Sequence, residues 1–411
     1  MVAYFLLNMN SGEKTVLRLG WVSFLNDVGS EVIARLVPFF VTGVLGASMS
    51  AVGAIEGIAD ATATLLKPIF GRFSDQLGRR KPFVVLGYSL SVFVRPFLAI
   101  SGNWIFVAFL RFLERTGKGV RSAPRDALIA DSSDHGKHGK SFGINRTLDT
   151  LGALLGIMLF GLWTWSGGQK GLTREGWIGL CLLSSIPGLA AIWILIKGVG
   201  EVSRSKSIAE GERDGKHFSP ELKRYLLIMG FFGFANSSDA FILLRAKEFG
   251  YSLLEVLGLI VLLNLVSSLT AIPAAMASDR LGRRSLIALG WCIYAVSYAL
   301  IGSSWIATNG VAFAGSVAVY GLFFGFTESV ERAWIADLVP SPLRGRAYGA
   351  FGLVTGVVAL PASLGFGWLW DHFGSQVPFF VASGVAFFSV ILLILLVPSH
   401  RMDSRSSISR V

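Results

Sequence analysis

Seven charged side chains lie within sixteen residues of an otherwise apolar stretch, RFLERTGKGVRSAPRD at positions 111–126. At 100° per residue, all seven fall within an arc of about 140° on one helix. A charge that faces lipid at mid-depth costs about 3 kcal/mol, so this arc must face water, a partner or both. Arginine and lysine side chains there can bind a carboxylate or a phosphate. The excess of cations predicts an electropositive wall for an anionic or zwitterionic small molecule, whose donors would be Arg111, Arg115, Lys118 and Arg121.

Ionisable and amide side chains also collect in four other apolar stretches. We expect three amide or acidic side chains to complete the substrate site, namely Asn26, Asn236 and Glu328. A substrate that competes for an arginine changes the protonation of the carboxylate beside it, which is a simple route to proton coupling. The candidates for that role are Asp27, Glu31, Asp60 and Asp239. The alternative for each cluster is an internal salt-bridge network that locks the helices together.

The composition is that of a membrane protein. The chain has 411 residues, of which 53% are hydrophobic and 15% charged, whereas soluble domains average about 25% charged residues. Its mean hydropathy is +0.61. The two cysteines lie inside apolar stretches and are expected to be free thiols, with no metal motif nearby. The stretch HGKHGKS at 135–141 has Asp134 where a phosphate loop needs glycine, so we expect no ATP-driven pump. Serine, histidine and aspartate do not come together at a common membrane depth, so we expect no enzyme, and we expect no cofactor.

Apolar stretches long enough to cross a bilayer core of about 30 Å recur along the chain. We predict an all-α membrane protein with twelve spans, at 16–43, 49–70, 82–101, 104–131, 144–165, 176–198, 222–244, 253–275, 284–304, 309–338, 347–370 and 376–398. Lysine and arginine are concentrated in alternate connections, which the positive-inside rule places in the cytoplasm together with both termini. This placement accounts for most of the net charge of +11 without a nucleic-acid partner. We expect an integral protein of the bacterial cytoplasmic (inner) membrane, surrounded by lipid and monomeric.

The chain is a tandem duplication of six spans. GRFSDQLGRR at 71–80 recurs as AMASDRLGRR at 275–284, and ALIADSSDHGKHGKSFG at 127–143 recurs as AWIADLVPSPLRGRAYG at 333–349. Two ordered motifs at nearly one offset indicate related halves. The predicted parts are an N-terminal half at 1–198, a polar cytoplasmic linker at 199–221, a C-terminal half at 222–398 and a cytoplasmic tail at 399–411.

The motif GRFSDQLGRR and its second copy resemble the loop signature of the major facilitator superfamily. The resemblance extends over essentially the whole chain and implies two pseudo-symmetric six-helix bundles that alternate between inward-open and outward-open states. It also implies that this loop latches the two halves. The gating residues expected on that basis are Gly71, Asp75, Arg79, Asp131, Asp279, Arg283 and Asp337. Gln76 and Ala275 stand where the family usually has a basic residue and a glycine.

Other segments resemble particular branches of that superfamily. Arg111 falls where drug/proton antiporters carry a buried arginine, and GALLGIMLFG at 152–161 resembles their glycine-rich motif, although Ile157 replaces the proline. The longer pattern around RTGKGVRSAPRDALIAD resembles a widespread, mostly uncharacterised bacterial branch. The resulting expectation is a proton-coupled secondary transporter of a polar anionic or zwitterionic molecule. The alternatives are a proton-driven exporter of lipophilic drugs and, more remotely, a non-transporting membrane sensor.

Overall fold

The computed structural model describes residues 10–133, 138–166, 172–201, 218–339 and 344–397, and no strand occurs within these ranges. Most of the predicted linker, the tail and three of the five histidines (His135, His217 and His400) lie outside the described residues. The helices are α1 (Ser11–Phe39), α2 (Met49–Leu77), α3 (Lys81–Ala99), α4 (Trp104–Asp131), α5 (His138–Ser166), α6 (Arg174–Leu183 and Ser185–Gly198), α7 (α7a, Pro220–Ala235, and α7b, Ala240–Glu248), α8 (Leu253–Leu281), α9 (Arg283–Gly302), α10 (Gly310–Asp337), α11 (Arg344–Phe373) and α12 (Gln376–Leu396). Twelve helical crossings in two six-helix bundles confirm the predicted fold class.

The ends of the helices follow local sequence signals. Asn10 begins α1 with a capping box, in which its side chain accepts from the backbone N–H of Glu13 and the Glu13 carboxylate reaches back. Ser252 and Glu255 form the same arrangement at the start of α8. Gly78 ends α2 with a φ of 63°, a conformation that favours glycine. Gly282 ends α8 with a φ of 89°, so the two related helices stop at equivalent glycines.

Two predicted spans are interrupted rather than continuous. The sixth breaks at Ser184 and the seventh breaks between Ala235 and Ala240. The second break is the polar run Asn236–Asp239, whose short side chains compete with the helical backbone for hydrogen bonds. The Ser238 hydroxyl, for example, accepts from the backbone N–H of Ala240 at 3.3 Å. Interrupted helices at membrane depth are tolerated where the freed backbone lines a cavity.

Charge separates two helices from the others. Ten helical segments of the described chain are long and apolar enough to cross a membrane, and α1 and α4 are not among them. Both have sufficient length, at 29 and 28 residues, but their sequences contain several acids and bases. These two crossings therefore have to lie where their charged faces avoid lipid.

The two bundles contact each other most closely along α2 and α11. A Cβ on Gly53 would lie 2.2 Å from the carbonyl oxygen of Ser363, and one on Gly367 would lie 2.3 Å from that of Met49. These glycines allow the backbones to approach within van der Waals contact.

We call the end of the bundle that carries Asp371 the Asp371 end, and the end that carries the loops after α2 and α8 the basic end.

Candidate functional site

Two adjoining cavities lie between the bundles, with volumes of about 390 Å³ and 290 Å³. The first cavity is bounded by α1, α2, α4, α7, α10 and α11, and the second by α1, α3, α4, α5 and α8. Both are lined by Glu31, Ala34, Arg35, Arg115 and Lys118. The charged faces of α1 and α4 therefore meet at the centre of the molecule, away from lipid.

Arg115 and Lys118 are the cations of α4 that face both cavities. Neither forms an ion pair within the part of the chain that the structure describes, and the Nε of Arg115 is buried without a hydrogen-bond partner. Phe109 and Phe112, on the opposite face of α4, are 53% and 42% exposed. The predicted charged arc thus points inward while the aromatic face points to lipid.

Arg111 and Arg121 have different surroundings from these two. Arg111 is fully buried behind the cavity wall, 2.5 Å from Glu114 and 3.7 Å from Glu56, and it lines neither cavity. Contrary to the expectation of a single wall of four donors, its charge is neutralised inside the bundle. Arg121 lines the second cavity, but its guanidinium also donates to the Ser91 hydroxyl at 2.7 Å and lies 4.3 Å from the ring centre of Tyr88.

The four carboxylates predicted for proton coupling all line a cavity. Asp27 lines the second cavity, Asp60 and Asp239 line the first, and Glu31 lines both. Asp27 accepts from the Asn26 amide at 2.9 Å and from the Ser30 hydroxyl at 3.2 Å. Asp60 has no ion pair among the described residues. These acids therefore differ in their hydrogen-bond and ion-pair partners, a difference that the sequence alone did not predict.

The break in α7 places Asp239 at the boundary between the bundles. Its carboxylate lies 3.7 Å from Arg35 of α1 and accepts from the Tyr320 hydroxyl at 2.6 Å. Arg35 is also 3.9 Å from Glu31, so one guanidinium is shared by an acid of each half. Asn236, predicted for substrate binding, lines the first cavity beside Asp239.

Two other predicted substrate residues lie away from the cavities. Asn26 is fully buried and its amide joins Arg95 to Asp27. Glu328 is exposed and pairs with Arg332 one turn later at 3.1 Å, so its partner is a neighbour on its own helix. In the lining of the first cavity, α10 contributes Phe324. The prediction that Glu328 belongs to the substrate site is therefore not supported by its position.

The four predicted gating acids form two triads at the basic end, each around one arginine, Arg80 in the first half and Arg283 in the second. Arg80 pairs with Asp75 at 3.2 Å and with Asp131 at 2.9 Å. In the second half, Arg283 pairs with the corresponding acids, at 2.7 Å to Asp279 and 3.0 Å to Asp337. Each triad joins helices of one bundle.

The two remaining predicted gating residues lie in the first half, outside its triad. Arg79 is exposed, and its buried neighbour Arg80 occupies the place between the two acids. A Cβ on Gly71 would lie 3.0 Å from that of Ala123, so this glycine brings α2 close to α4.

At the Asp371 end the halves are joined by a contact that the motifs did not predict. The Asp371 carboxylate of α11 accepts from the backbone N–H groups of Met49 and Ser50 at 2.9 and 2.8 Å, and from the Ser50 hydroxyl at 2.5 Å. These donors are the first turn of α2, where a helix favours a negative charge. Asp371 stands in a tryptophan- and histidine-flanked segment, WDHF, that offered no motif.

A sequence model of the Major Facilitator Superfamily matches residues 19–271 and 226–410. An uncharacterised MFS-type transporter of Methanocaldococcus jannaschii is 32% identical over 392 residues, which cover 93% of this chain and 95% of the relative. The chain belongs to the Major Facilitator Superfamily. As a member it is an integral membrane protein and a secondary transporter, and the superfamily and its fold confirm the expectation that it is not an enzyme.

Solved structures of superfamily transporters have the same fold. A POT family transporter in complex with 5-aminolevulinic acid superposes with a TM-score of 0.75 at 13% identity, over 93% of this chain and 96% of that one. A D-xylose-proton symporter superposes with a TM-score of 0.70 at 17% identity, over 94% and 98% of the respective chains. At these identities the likeness shows the fold.

Proposed function

We propose that this transporter moves a small anionic or zwitterionic molecule by alternating access and couples its movement to protons. The observation that carries the proposal is the pair Arg115 and Lys118, which face both cavities and have no acid paired with them in the described chain. Two cations in an internal cavity are costly unless an anion compensates them. A substrate carboxylate or phosphate would supply that compensation through charge-assisted hydrogen bonds.

The charges of the two cavities favour a zwitterion in particular. Cations exceed acids in the second cavity, whose charged residues are Arg35, Arg115, Lys118, Arg121, Arg125, Arg146, Asp27, Glu31, Glu114 and Asp149. Acids exceed cations in the first, whose charged residues are Glu31, Glu56, Asp60, Asp239, Arg35, Arg115 and Lys118. A zwitterion would place its anionic group towards α4 and α5, and its cationic group towards Asp60 and Asp239.

The shared position of Arg35 supports proton coupling. Arg35 lies within ion-pair distance of Glu31 on its own helix and of Asp239 in the other bundle. A substrate anion that draws Arg35 away leaves these acids less compensated and favours their protonation. Substrate binding, proton uptake and the contact between the halves would then be linked at one guanidinium.

The two ends of the molecule fit an inward-open state. The described hydrogen bonds that join the halves include the Asp371 contact, whereas the acid–arginine triads at the basic end remain within each bundle. With the basic end and both termini in the cytoplasm, as the positive-inside rule indicates, the cavities open inward. We propose the cytoplasmic membrane of a bacterial cell as the location and a monomer as the working unit.

An apolar crevice favours a second candidate function, the export of lipophilic drugs. It lies between α5 and α8, has a volume of about 490 Å³ and is lined by Ile157, Met158, Gly161, Leu162, Leu254, Leu257, Gly258 and Val261. A lipophilic compound could enter it from the bilayer. In that case the unpaired cations of α4 would serve the proton relay rather than the substrate.

Thermal stabilisation of the purified protein by three panels of compounds tests the proposal. The panels are organic anions, zwitterions and lipophilic cations, each titrated over several concentrations. Stabilisation by a zwitterion or an anion that rises with concentration, as binding to the folded state requires, is the expected result. Stabilisation by lipophilic cations alone would replace the proposal with the drug-export function.

A further inference from the structure

Arg95 of α3 is a fully buried cation with no acid paired to it in the described part of the chain. Its guanidinium donates to the Asn26 side-chain oxygen at 2.6 Å and to the Ser184 carbonyl at 3.2 Å, while Nε has no partner. Gly29 and Gly188 make room for it, since a Cβ at either position would lie 3.0 or 3.1 Å from its terminal nitrogen. A buried charge without an acid is costly, so its contacts indicate a role.

The contact with Arg95 fixes the orientation of the Asn26 amide. A guanidinium can only donate hydrogen bonds, so the amide oxygen has to face Arg95 and the amide nitrogen has to face away from it. That nitrogen donates to Asp27 Oδ1 at 2.9 Å. Asn26 is fully buried, and water cannot replace either contact without opening the bundle.

Asp27 is the end of this chain of hydrogen bonds and lines the second cavity. Its Oδ1 accepts from Asn26 and from the Ser30 hydroxyl. The charged groups that act on it are Glu31 of α1, Lys118 and Arg121 of α4, and Asp149 of α5, and Arg125 and Arg146 line the same cavity. The polar contact that reaches it from α3 passes through Asn26, because Arg95 itself does not line the cavity.

We propose that Arg95 is a positioning residue for the Asp27 carboxylate. Acting through Asn26, it holds one oxygen of Asp27 in a fixed hydrogen bond, favours the charged carboxylate and leaves the other oxygen for the cavity. A hydrogen bond to the ionised form stabilises that form relative to the protonated one. The importance of these contacts for transport rests on the proposed role of Asp27 in proton coupling. The positioning of Asp27 by Arg95 does not depend on that role.

The test measures the protonation of Asp27 directly, without a substrate. Dicyclohexylcarbodiimide reacts with protonated carboxyl groups, so labelling of Asp27 in the full-length protein in nanodiscs is measured against pH by peptide mass spectrometry. In Arg95→Gln, we expect the labelling midpoint of Asp27 to move to higher pH by about one unit, because the Asn26 amide is no longer held in place as a donor to the ionised form. The midpoint of Asp60, in the other cavity, serves as the internal control and should stay in place.

Two further variants separate positioning from a general loss of structure. Asn26→Ser removes the amide that joins Arg95 to Asp27, because the serine hydroxyl is one bond shorter than both amide atoms. It should shift the midpoint as Arg95→Gln does, and the double variant should shift it no further. Arg95→Lys, which can still donate to Asn26, should restore most of the wild-type midpoint. An unchanged midpoint in Asn26→Ser overturns the inference, and this variant decides the matter if Arg95→Gln does not fold. If none of the compounds in the three panels stabilises the protein, the labelling midpoint of Asp27 can still be measured and still tests the role of Arg95.

Discussion

Arg111 and Arg115 lie one helical turn apart on α4 and have opposite surroundings. Arg111 is enclosed by Glu56 and Glu114, while Arg115 faces the cavities and forms no ion pair with a described residue. Removing one member of a buried ion network leaves the other charges uncompensated. The first cation therefore contributes to stability, and the second is available to a ligand.

Arg111→Met should destabilise the folded protein by about 3–5 kcal/mol, because two buried carboxylates lose their counter-ion. Arg115→Met should cause a much smaller loss, because it removes an unpaired cation. Thermal unfolding of both variants without ligand, at one scan rate, measures the difference. Equal losses of stability in the two variants would contradict the conclusion that Arg111 stabilises the fold while Arg115 is available to a ligand.

Arg115→Ala should abolish the ligand-induced stabilisation found for the wild type, since it removes a donor that both cavities share. Lys118→Ala should weaken it at least tenfold for the same reason. Each variant has a matched control outside the cavities, Arg332→Ala on α10 and Lys247→Ala on α7b, both of which alter exposed side chains. Ligand binding by Arg115→Ala at wild-type strength would remove Arg115 from the site.

Sequence periodicity predicted which face of α4 points inward. It could not tell which charges on that face are paired inside the protein and which are available to a ligand. All seven charges lie on one arc, yet the partners of Arg111 come from its own helix and from α2, which only the packed structure reveals. Arg95 was missed for a related reason. It is a single arginine in an apolar span, and its significance comes from Asn26 on another helix. The available signal was its position, since an ionisable residue inside a span is a functional candidate.

At the level of helices, α2 and α11 close the Asp371 end. Glycine contacts bring their backbones together, and the Asp371 carboxylate then caps the first turn of α2 across the boundary between the halves. Three donors to one carboxylate form a strong contact, which opening of this end would have to break. Asp371 therefore stabilises the state that the structure shows.

Asp371→Asn should shift the population towards the state open at the Asp371 end. Distances between spin labels on α2 and α11 at that end measure the shift. Glu255→Gln is the matched control, because Glu255 caps its own helix at Ser252 and does not join the halves. Unchanged distance distributions in Asp371→Asn would remove this contact from the gate.

The predicted spans agree with the observed helices to within a few residues at most boundaries, because length and hydropathy fix a membrane crossing. Two of the exceptions share a physical reason. The helices α2 and α8 continue to Leu77 and Leu281, several residues beyond the apolar stretch, until a glycine with positive φ ends each. The break in α7 was not predicted, because four polar residues are also compatible with a helix that faces a cavity.

At the level of the whole molecule, the duplication is visible in the chemistry of the basic end. Each half carries an arginine between two acids, and the acids occupy equivalent places in the repeat, whereas Arg80 stands one position after the counterpart of Arg283. The repeat therefore predicted the acids of both triads. It did not predict that Arg80, rather than Arg79, lies between Asp75 and Asp131, because the sequence does not show which of two neighbouring arginines is buried in the fold.

Alkaline phosphatase inserted at Gly374 should be active, whereas the same enzyme fused to the C-terminus or inserted at Gly282 should be inactive. The enzyme folds only outside the cytoplasm, and the positive-inside rule places the basic end and the termini within it. Activity in cells that express each fusion at matched levels measures the topology. The reverse pattern of activity would invert the proposed orientation.

The contact at the Asp371 end has an evolutionary consequence. On one side it uses a carboxylate and on the other mainly the backbone of α2. Replacement of Met49 by almost any residue leaves its N–H in place, and only proline removes it. Selection that preserves this closure therefore acts on Asp371 and hardly on Met49. As homologous chains diverge, position 49 should accept many residue types while position 371 should keep its acid. Asp371 would then be conserved because of a contact with the backbone of α2, and no conserved side chain at position 49 would reveal that contact.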